Sequence, residues 1–200
     1  MVAIPKPLTE RGRKTRAALV DAAETLFGVK GYDGTSIVDL TREAKIALGT
    51  FYIYFPDKKS LFVELVDSLG VRLREHVALR VGKEAHRIEM ERLAFLAFLE
   101  FVAKHRHLYR IVRQADFVDQ DCFRRYYRRM AGPYAEGLRE AAARGEVRAG
   151  DPEVMAYCLM GVADFIGMRF GLWEKKPSAK VIAEALAFTT GGLLPDRKRK

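Results

Sequence analysis

Apolar residues recur along most of this sequence at the three- and four-residue spacing of an α-helix, and the alternating pattern of a β-strand is nearly absent. Between Arg13 and Val29, for example, they mark one face of a helix that Gly31 is placed to end. The chain has 200 residues, of which 49% are hydrophobic, so it can form a substantial core. We therefore expect an all-α fold of about nine helices.

Proline, glycine and aspartate mark where the predicted helices begin and end. Pro56 should end the third helix, and Asp57 should cap a long fourth helix. The Gly-Pro pair at 132–133 should kink or split a later helix, because proline removes a backbone hydrogen bond. Asp151 precedes a proline and marks another helix start. The last two helices are expected at about residues 152–174 and 178–192.

The charge balance limits the kinds of partner. The net charge is +9 and the isoelectric point about 9.6, which favours a polyanion, either nucleic acid or an anionic membrane surface. A basic protein without such a partner is the alternative. The sequence shows no signal peptide and no run of 18 apolar residues, so we expect a cytoplasmic protein with no membrane partner. Cys122 and Cys158 lie in apolar helical patterns, which favours core positions over a disulfide.

Two short helices are predicted close together in the first third of the chain, with a short turn around Lys45 between them. This is the helix-turn-helix arrangement, in which the second helix lies in the major groove and reads bases from its N-terminal residues. The candidate DNA-contacting residues are Thr35, Ser36, Lys45, Ala47, Leu48, Gly49, Thr50, Tyr52, Tyr54 and Lys58. On spacing alone, a three-helix bundle that binds no nucleic acid is equally compatible.

The residue types in this set suit two kinds of DNA contact. Gly49 lets the helix approach the groove closely, Leu48 can touch a thymine methyl group, and Thr50 can bond a base edge or a phosphate. Tyr52 and Lys58 follow later, where hydroxyl and ammonium groups suit phosphate oxygens. The third helix is therefore expected to have one core face and one groove face.

A set of residues around this turn also matches a known family pattern: Thr35, Leu40, Ala44, Ile46, Gly49, Thr50, Tyr52, Tyr54, Phe55, Lys58 and Leu61. With them, residues from about 13 to 65 resemble the DNA-binding module of the TetR (tetracycline-repressor) family of bacterial regulators. The resemblance implies a ligand-responsive regulator, usually a repressor, that binds a palindromic operator as a dimer and is released by a small, hydrophobic effector. The alternative is a helical carrier or enzyme for an apolar ligand with a vestigial DNA-binding module.

Two positions depart from the family pattern. Lys45 stands where the family has a turn glycine, and a positive φ there would cost about 1 kcal/mol or more. Ala47 stands where the family has a serine, so the third helix should lose a side-chain cap worth about 1 kcal/mol. DNA affinity is then expected to depend more on Lys45 and on the basic N-terminal arm, which either follows the DNA backbone or is simply solvated.

Four segments are predicted: a flexible basic arm at 1–12, the helix-turn-helix domain at 13–60, a helical ligand-binding and dimerisation domain at 61–194, and a basic tail at 195–200. The resemblance implies an effector pocket in the third segment. Its candidate residues are Phe98, Tyr109, Arg113, Phe117, Tyr127, Asp164 and Met168. Asp164 can instead pair with an arginine of the protein itself, because a buried carboxylate needs a partner.

Two further patterns in this segment carry alternatives. The arginines of "FRRYYRRM" form either a solvated helix face or an anion site for the phosphates of an acyl-coenzyme A: Arg124, Arg125, Arg128 and Arg129. Small residues in the last two helices allow close helix approach and resemble the family's dimer seam: Gly161, Gly167, Gly171, Ala183, Ala187 and Gly191. A homodimer through helices eight and nine is therefore expected.

Enzymatic chemistry has little support in the sequence. The histidines, at positions 76, 86, 105 and 107, do not have the spacing of a zinc site, and no nucleophile motif or phosphate-binding glycine loop is present. We expect no cofactor, no metal and no catalytic residues.

Overall fold

The structure, a computed structural model, describes residues 9–82, 86–174 and 177–195. Within these ranges the chain forms nine α-helices, one π-helical segment and no β-strand, so the predicted all-α class is confirmed. The helices are α1 (Glu10–Lys30), α2 (Ile37–Glu43), α3 (Leu48–Tyr54), α4 (Lys58–Val81), α5 (Arg87–Lys104), α6 (Leu108–Val118), α7 (Gln120–Ala143), α8 (Pro152–Ile166) and α9 (Ala179–Leu193). The π-helical segment, Gly167–Trp173, continues directly from α8.

The predicted helix boundaries are largely present and have the expected physical cause. Gly31 ends α1 with a φ of 79°, a value that favours glycine. Asp57 caps the start of α4, because its Oδ1 accepts a hydrogen bond of 2.7 Å from the backbone N–H of Ser60. Asp151 accepts hydrogen bonds from two backbone N–H groups at the start of α8, at 2.9 and 3.1 Å.

Two helices extend beyond the boundaries expected from the sequence. Helix α7 runs from Gln120 to Ala143 through Pro133, so of the two expected outcomes, a kink or a split, the split does not occur. Both residues at 132–133 are exposed, and water can solvate the carbonyl group that proline leaves unbonded. Helix α1 begins at Glu10, where Thr9 accepts a 3.1 Å hydrogen bond from the N–H of Gly12, so residues 10–12 of the predicted arm are helical. Residues 1–8 of that arm and 196–200 of the predicted tail lie outside the described residues.

The chain divides into two compact units. The first unit contains Met1–Leu69 and His107–Tyr126, and the second contains Gly70–Arg106 and Tyr127–Lys200. The boundaries therefore fall inside α4 and α7, and α6 belongs to the first unit. The predicted boundary between the helix-turn-helix domain and the ligand-binding domain, at residues 60 and 61, was drawn from the sequence motif and not from compactness. It stays a prediction.

Aromatic packing builds the core of the first unit. The rings of Phe27 and Tyr32 lie 5.4 and 5.2 Å from the ring of Phe62, which fixes the end of α1 against α4. Phe51 of α3 is fully buried in the same unit. Each fully buried phenylalanine stabilises the fold by about 1.5–3 kcal/mol. This core holds α1, α2 and α3 as one body.

The second unit contains a buried charged cluster beside its apolar clusters. The Nε of Arg87 donates to Glu91 at 2.7 Å, and the hydroxyl of Tyr134 donates to the same carboxylate. The guanidinium of Arg87 also lies 5.3 Å from the centre of the Tyr134 ring. Burial raises the pKa of Tyr134 well above its ordinary value, and the negative charge of Glu91 adds to that effect. The cluster joins α5 to α7 and leaves neither charge unpaired.

Candidate nucleic-acid interface

The start of α2 is fixed by a reciprocal pair of hydrogen bonds. The hydroxyl of Ser36 accepts from the N–H of Asp39 at 3.0 Å, and the carboxylate of Asp39 accepts from the N–H of Ser36 at 3.1 Å. The hydrogen bond from the Ser36 hydroxyl, at 2.8 Å, is the main reason why the pKa of Asp39 is below its ordinary value. Ser36 is exposed, so a role in DNA contact is compatible with its role as a cap.

Thr35 lies in a different environment from its neighbour. Its side chain is buried, and its hydroxyl donates to the carbonyl oxygen of Gly31 at 2.7 Å. This bond stabilises the connection between α1 and α2. The structure therefore does not place Thr35 on the exposed face with the other predicted DNA-contacting residues.

The turn between α2 and α3 has the positive-φ backbone conformation that the family's turn glycine implies. Lys45 has a φ of 55° and is the sole non-glycine residue with a positive φ among the residues that the structure describes. The turn is closed by a 3.0 Å bond from the N–H of Ile46 to the carbonyl oxygen of Thr41. A lysine in this conformation costs about 1 kcal/mol or more relative to glycine. Its side chain is exposed beside the start of α3.

Helix α3 separates a buried face from an exposed face. Phe51 and Phe55 point into the core, whereas Leu48, Gly49 and Tyr52 are exposed. A Cβ atom added at Gly49 would meet nothing within 4 Å, so the groove face is open at this point. Ala47 makes no side-chain cap, as expected from the departure at this position. Thr50 and Tyr54 are half-buried at the edges of the face.

Ile53 also belongs to this exposed face and was missed in the sequence analysis. It exposes 66% of its surface, although it is a large aliphatic residue. The signal was available in the helix period, because 100° per residue places Ile53 directly opposite the buried Phe51 and Phe55. The family pattern leaves this position unspecified and specifies only the flanking tyrosines, so the motif alone does not select Ile53.

Lys58 has a structural role that its sequence position did not reveal. Its Nζ donates to the carbonyl oxygens of Tyr32 and Thr35, at 2.8 and 2.9 Å, and lies 4.2 Å from the centre of the Tyr32 ring. Two of its three donors are thus used inside the first unit. Contact between Lys58 and a phosphate stays a prediction, and only one donor is left for it.

An open groove of about 550 Å³ lies between the start of α1 and the turn before α3. Its lining residues are Glu10, Arg11, Lys14, Thr15, Ala18, Ala44 and Ile46. Arg11 and Lys14 are exposed there, and Lys14 pairs with Glu10 at 2.8 Å. Arg16, further along α1, pairs with Glu64 at 2.5 Å. The cations available to a polyanion at this groove are therefore fewer than the sequence indicates.

Helix α6 supports the end of α1 within the first unit. The Nη1 of Arg110 donates to the carbonyl oxygen of Gly28 at 2.9 Å, and Gln114 accepts from the N–H of Tyr32 at 2.5 Å. His107 packs so closely that a Cβ atom at Gly28 would lie 2.1 Å from its ring. These contacts connect α6 to the DNA-binding module, which sequence motifs alone did not predict.

The candidate effector residues divide between the two units. Tyr109, Arg113 and Phe117 lie on α6 in the first unit, whereas Phe98, Tyr127, Asp164 and Met168 lie in the second. Tyr109 is buried, whereas Arg113 is exposed and Phe117 exposes 92% of its surface. A site that uses all seven residues stays a prediction.

The arginines of "FRRYYRRM" are also divided between the two units, with positions 124 and 125 in the first and positions 128 and 129 in the second. The Nε of Arg125 lies 3.5 Å from a carboxylate oxygen of Asp67, and both residues belong to the first unit. Arg124 is exposed at the surface of that unit. Because Arg125 already pairs with a carboxylate of the protein, an anion site that uses all four side chains is less favoured than a helix face that binds no anion.

The last two helices present an exposed apolar face. Phe165, Trp173 and Phe188 are largely exposed, and a Cβ atom at Gly161 or Gly191 would meet nothing within 4 Å. By length and composition alone, Pro152–Trp173 could cross a membrane, with a mean hydropathy of 1.3, and only 22% of it is buried. A helix of a soluble protein that packs against a partner has the same properties. Gly167, in contrast, is buried within its own chain and does not belong to this face.

Among the described residues, no group of three or more histidine, cysteine, aspartate or glutamate side chains is arranged to hold a metal ion. Cys122 is buried and Cys158 is exposed, and neither forms a disulfide.

Comparisons with known proteins agree with this geometry. Residues 19–65 match the family model described as bacterial regulatory proteins, tetR family. Over 193 residues the chain is 24% identical to the uncharacterized HTH-type transcriptional regulator YdgC of Bacillus subtilis, covering 94% of this chain and 97% of that protein. Other curated relatives, at 29–30% identity, are covered over 60–62% of their own length.

Solved structures share the fold at low sequence identity. The regulator FadR of Bacillus subtilis, in complex with stearoyl-CoA, has a TM-score of 0.76 at 18% identity, covering 88% of this chain and 98% of that chain. AibR, in complex with isovaleryl coenzyme A and operator DNA, has a TM-score of 0.71 at 17% identity, covering 87% of this chain and 97% of that chain. Residues 19–65, which contain the helix-turn-helix, therefore form a DNA-binding module of the kind described by the tetR family of bacterial regulatory proteins.

Proposed function

We propose that this protein is a ligand-responsive repressor that binds a palindromic operator as a homodimer and releases it when a small effector binds. The observation that carries the proposal is the exposed face of α3, with Gly49 open to its surroundings and Lys45 beside it. A helix with one buried and one open face, preceded by a tight turn, is the part of a helix-turn-helix that enters the major groove.

The surroundings of α3 support contacts with the DNA backbone on both sides of the groove. Lys45, in the turn, and Arg11, at the start of α1, are exposed cations near its N-terminus. Tyr52 and Tyr54 place hydroxyl groups toward its C-terminal end. Such groups position a protein on the duplex without reading its sequence, and each neutralised phosphate adds to the salt dependence of binding.

Substitution of Gly49 by valine tests the assignment of α3. Valine fills the open space at the groove face, so Gly49→Val should abolish preference for the operator and leave weak, salt-sensitive binding to random DNA. Gly132→Val is the matched control, because Gly132 is also an exposed helical glycine with nothing within 4 Å of an added Cβ atom. Fluorescence anisotropy with operator and scrambled duplexes measures both. Full operator preference in Gly49→Val would mean that α3 is not the reading helix.

The exposed apolar face of α8, the π-helical segment and α9 supports a dimer through these elements. Phe188 exposes 75% of its surface there, which a soluble monomer rarely tolerates beside further exposed aromatic residues. Phe188→Glu should therefore yield monomers in sedimentation velocity and weaken operator binding, because one half-site contact is lost. Phe117→Glu is the control, because Phe117 is also largely exposed, at 92%, but lies in the first unit. If Phe188→Glu sediments as the parent dimer does, the seam lies elsewhere.

The similarity to two regulators solved with acyl-coenzyme A ligands supports an apolar effector, with an acyl-coenzyme A as the first compound class to test. Phe98 packs against a cluster of Phe95, Leu99 and Ala185 in the second unit, and Met168 is buried in the same unit. Titration of an acyl-coenzyme A series against the operator complex should reveal a coupling of about 1–3 kcal/mol. If every compound that binds the protein leaves operator affinity unchanged, the ligand-response proposal is wrong.

The same proposal gives the protein a cytoplasmic location, because its DNA partner lies there in bacteria. Its relatives are transcriptional regulators, and a role without catalysis follows from that similarity.

A further inference from the structure

Helix α3 lacks every side chain that usually distinguishes one base pair from another by paired hydrogen bonds. Its sequence, Leu48–Tyr54, is LGTFYIY, with no arginine, lysine, asparagine, glutamine, aspartate, glutamate or histidine. Arginine and lysine recognise guanine, asparagine and glutamine recognise adenine, and acidic residues accept from cytosine. The helix that enters the groove can therefore offer only hydroxyl groups and apolar surface.

The apolar surface lies on the side of α3 that faces away from the core. Leu48, Tyr52 and Ile53 expose 48%, 54% and 66% of their surfaces. Gly49 and Ile53 are four residues apart and therefore lie on the same side of the helix, opposite the buried Phe51 and Phe55. Leu48 and Tyr52 form another pair four residues apart. Leu48 and Ile53 lie about 140° apart around the helix, with Gly49 and Tyr52 between them. The exposed side chains of Leu48 and Ile53 are here named the apolar strip.

Two exposed cations, Arg42 and Lys45, precede this strip in the chain and lie outside α3. Arg42 belongs to α2, the helix that crosses the backbone in a helix-turn-helix, and its carboxylate neighbour Asp39 lies 3.8 Å away. Lys45 lies in the turn. These cations can set the position of α3 in the groove, but the groove floor itself meets the apolar strip.

We propose that α3 reads its operator mainly through thymine methyl groups, with Leu48 and Ile53 as the contacting side chains and Gly49 allowing the close approach. The methyl group at C5 of thymine is the only apolar group that a base pair presents in the major groove. Thr50 adds a single hydrogen bond at the edge of the face. The inference rests on the proposed operator binding and names the feature of the operator that is recognised.

The experiment begins with selection of a preferred duplex from a random pool by the wild-type protein. Each thymine of the selected half-site is then replaced by deoxyuridine, which removes only the methyl group. Loss of one buried methyl contact should weaken binding about threefold to fivefold, and at least two positions of each half-site should respond.

Leu48→Ala and Ile53→Ala identify the side chains. Each variant should bind the unmodified operator less tightly and should no longer respond to deoxyuridine at its own thymine, while it still responds at the other. Leu79→Ala is the control, because Leu79 is an exposed leucine of α4 in the second unit, and it should behave as wild type. All three residues are exposed, so the fold should be unaffected.

The outcomes separate this inference from the function on which it rests. If the wild-type protein selects no sequence, the proposed operator binding itself fails. If it selects a sequence but no deoxyuridine position weakens binding, it remains a DNA reader and methyl recognition is refuted. If deoxyuridine weakens binding equally in wild type, Leu48→Ala and Ile53→Ala, the assignment of these two side chains is refuted.

Discussion

Replacement of Lys58 by methionine tests whether this residue holds the DNA-binding module together. The substitution keeps the aliphatic stem and removes the ammonium group. The carbonyl oxygens of Tyr32 and Thr35 then lose their donors at 2.8 and 2.9 Å, and the ring of Tyr32 loses the cation at 4.2 Å. The connection between α1 and α2 should therefore loosen.

The expected cost follows from these three contacts. A hydrogen bond from a charged donor to a half-buried carbonyl group contributes about 1 kcal/mol after competition with water, and the cation–π contact about 0.5–1 kcal/mol. Lys58→Met should therefore destabilise the protein by about 3 kcal/mol. Lys59→Met is the matched control, because the exposed Lys59 forms an ion pair with Asp119 at 3.0 Å, and an ion pair of this kind contributes little to stability.

Urea denaturation followed by circular dichroism measures the difference between the two neighbouring lysines. Equal stability of Lys58→Met and Lys59→Met would refute the structural role assigned to Lys58. Titration of the same proteins with DNA at several salt concentrations tests separately whether the third N–H of Lys58 contacts a phosphate. If it does, Lys58→Met should reduce the slope of log affinity against log salt concentration by about one.

Three further tests use substitutions in other parts of the structure. Lys45→Gly should raise stability by up to about 1 kcal/mol because it relieves the positive φ, and should weaken binding to any DNA, whereas Lys45→Ala should weaken DNA binding without the gain in stability. The lowered pKa of Asp39 means that its contribution to stability is complete above its ordinary value of 3.8 and is lost as the pH falls through the lowered pKa, so Asp39→Asn should reduce the acid sensitivity measured by thermal melting. Gly132→Ala should stabilise α7 by about 0.5–1 kcal/mol, whereas Gly137→Ala should not, because its Cβ atom would lie 2.4 Å from the guanidinium of Arg87.

The elements that the sequence predicted well are those set by local physical rules. The apolar period marks the helices, and caps such as Asp57 and Asp151 depend only on residues within one turn. The positive φ at Lys45 was anticipated from the resemblance, because the family pattern has a turn glycine at this position. The continuity of α7 through Pro133 was not anticipated, because it depends on which face of the helix is exposed to water.

The features that the sequence did not reveal depend on contacts between distant segments. Lys58 meets carbonyl groups of residues 23 and 26 positions earlier, so its part in the α1–α2 connection has no local signal. Gln114 meets Tyr32 across 82 positions. The exposed position of Ile53 is a local feature by contrast. It follows from the helix period together with the burial of Phe51 and Phe55.

The connectivity of α6 bears on how an effector could change DNA affinity. An effector acts only through its different affinities for the states that bind DNA well and poorly. Helix α6 belongs to the first unit, where Arg110 and Gln114 connect it to the end of α1, yet the preceding α5 belongs to the second unit. The chain thus passes between the units at three points, two of them inside the continuous helices α4 and α7. Because a hydrogen-bonded helix does not lengthen, movement at one end of either helix must be accommodated at the other. Helix α6 gives the DNA-binding module a further connection to the rest of the chain besides α4.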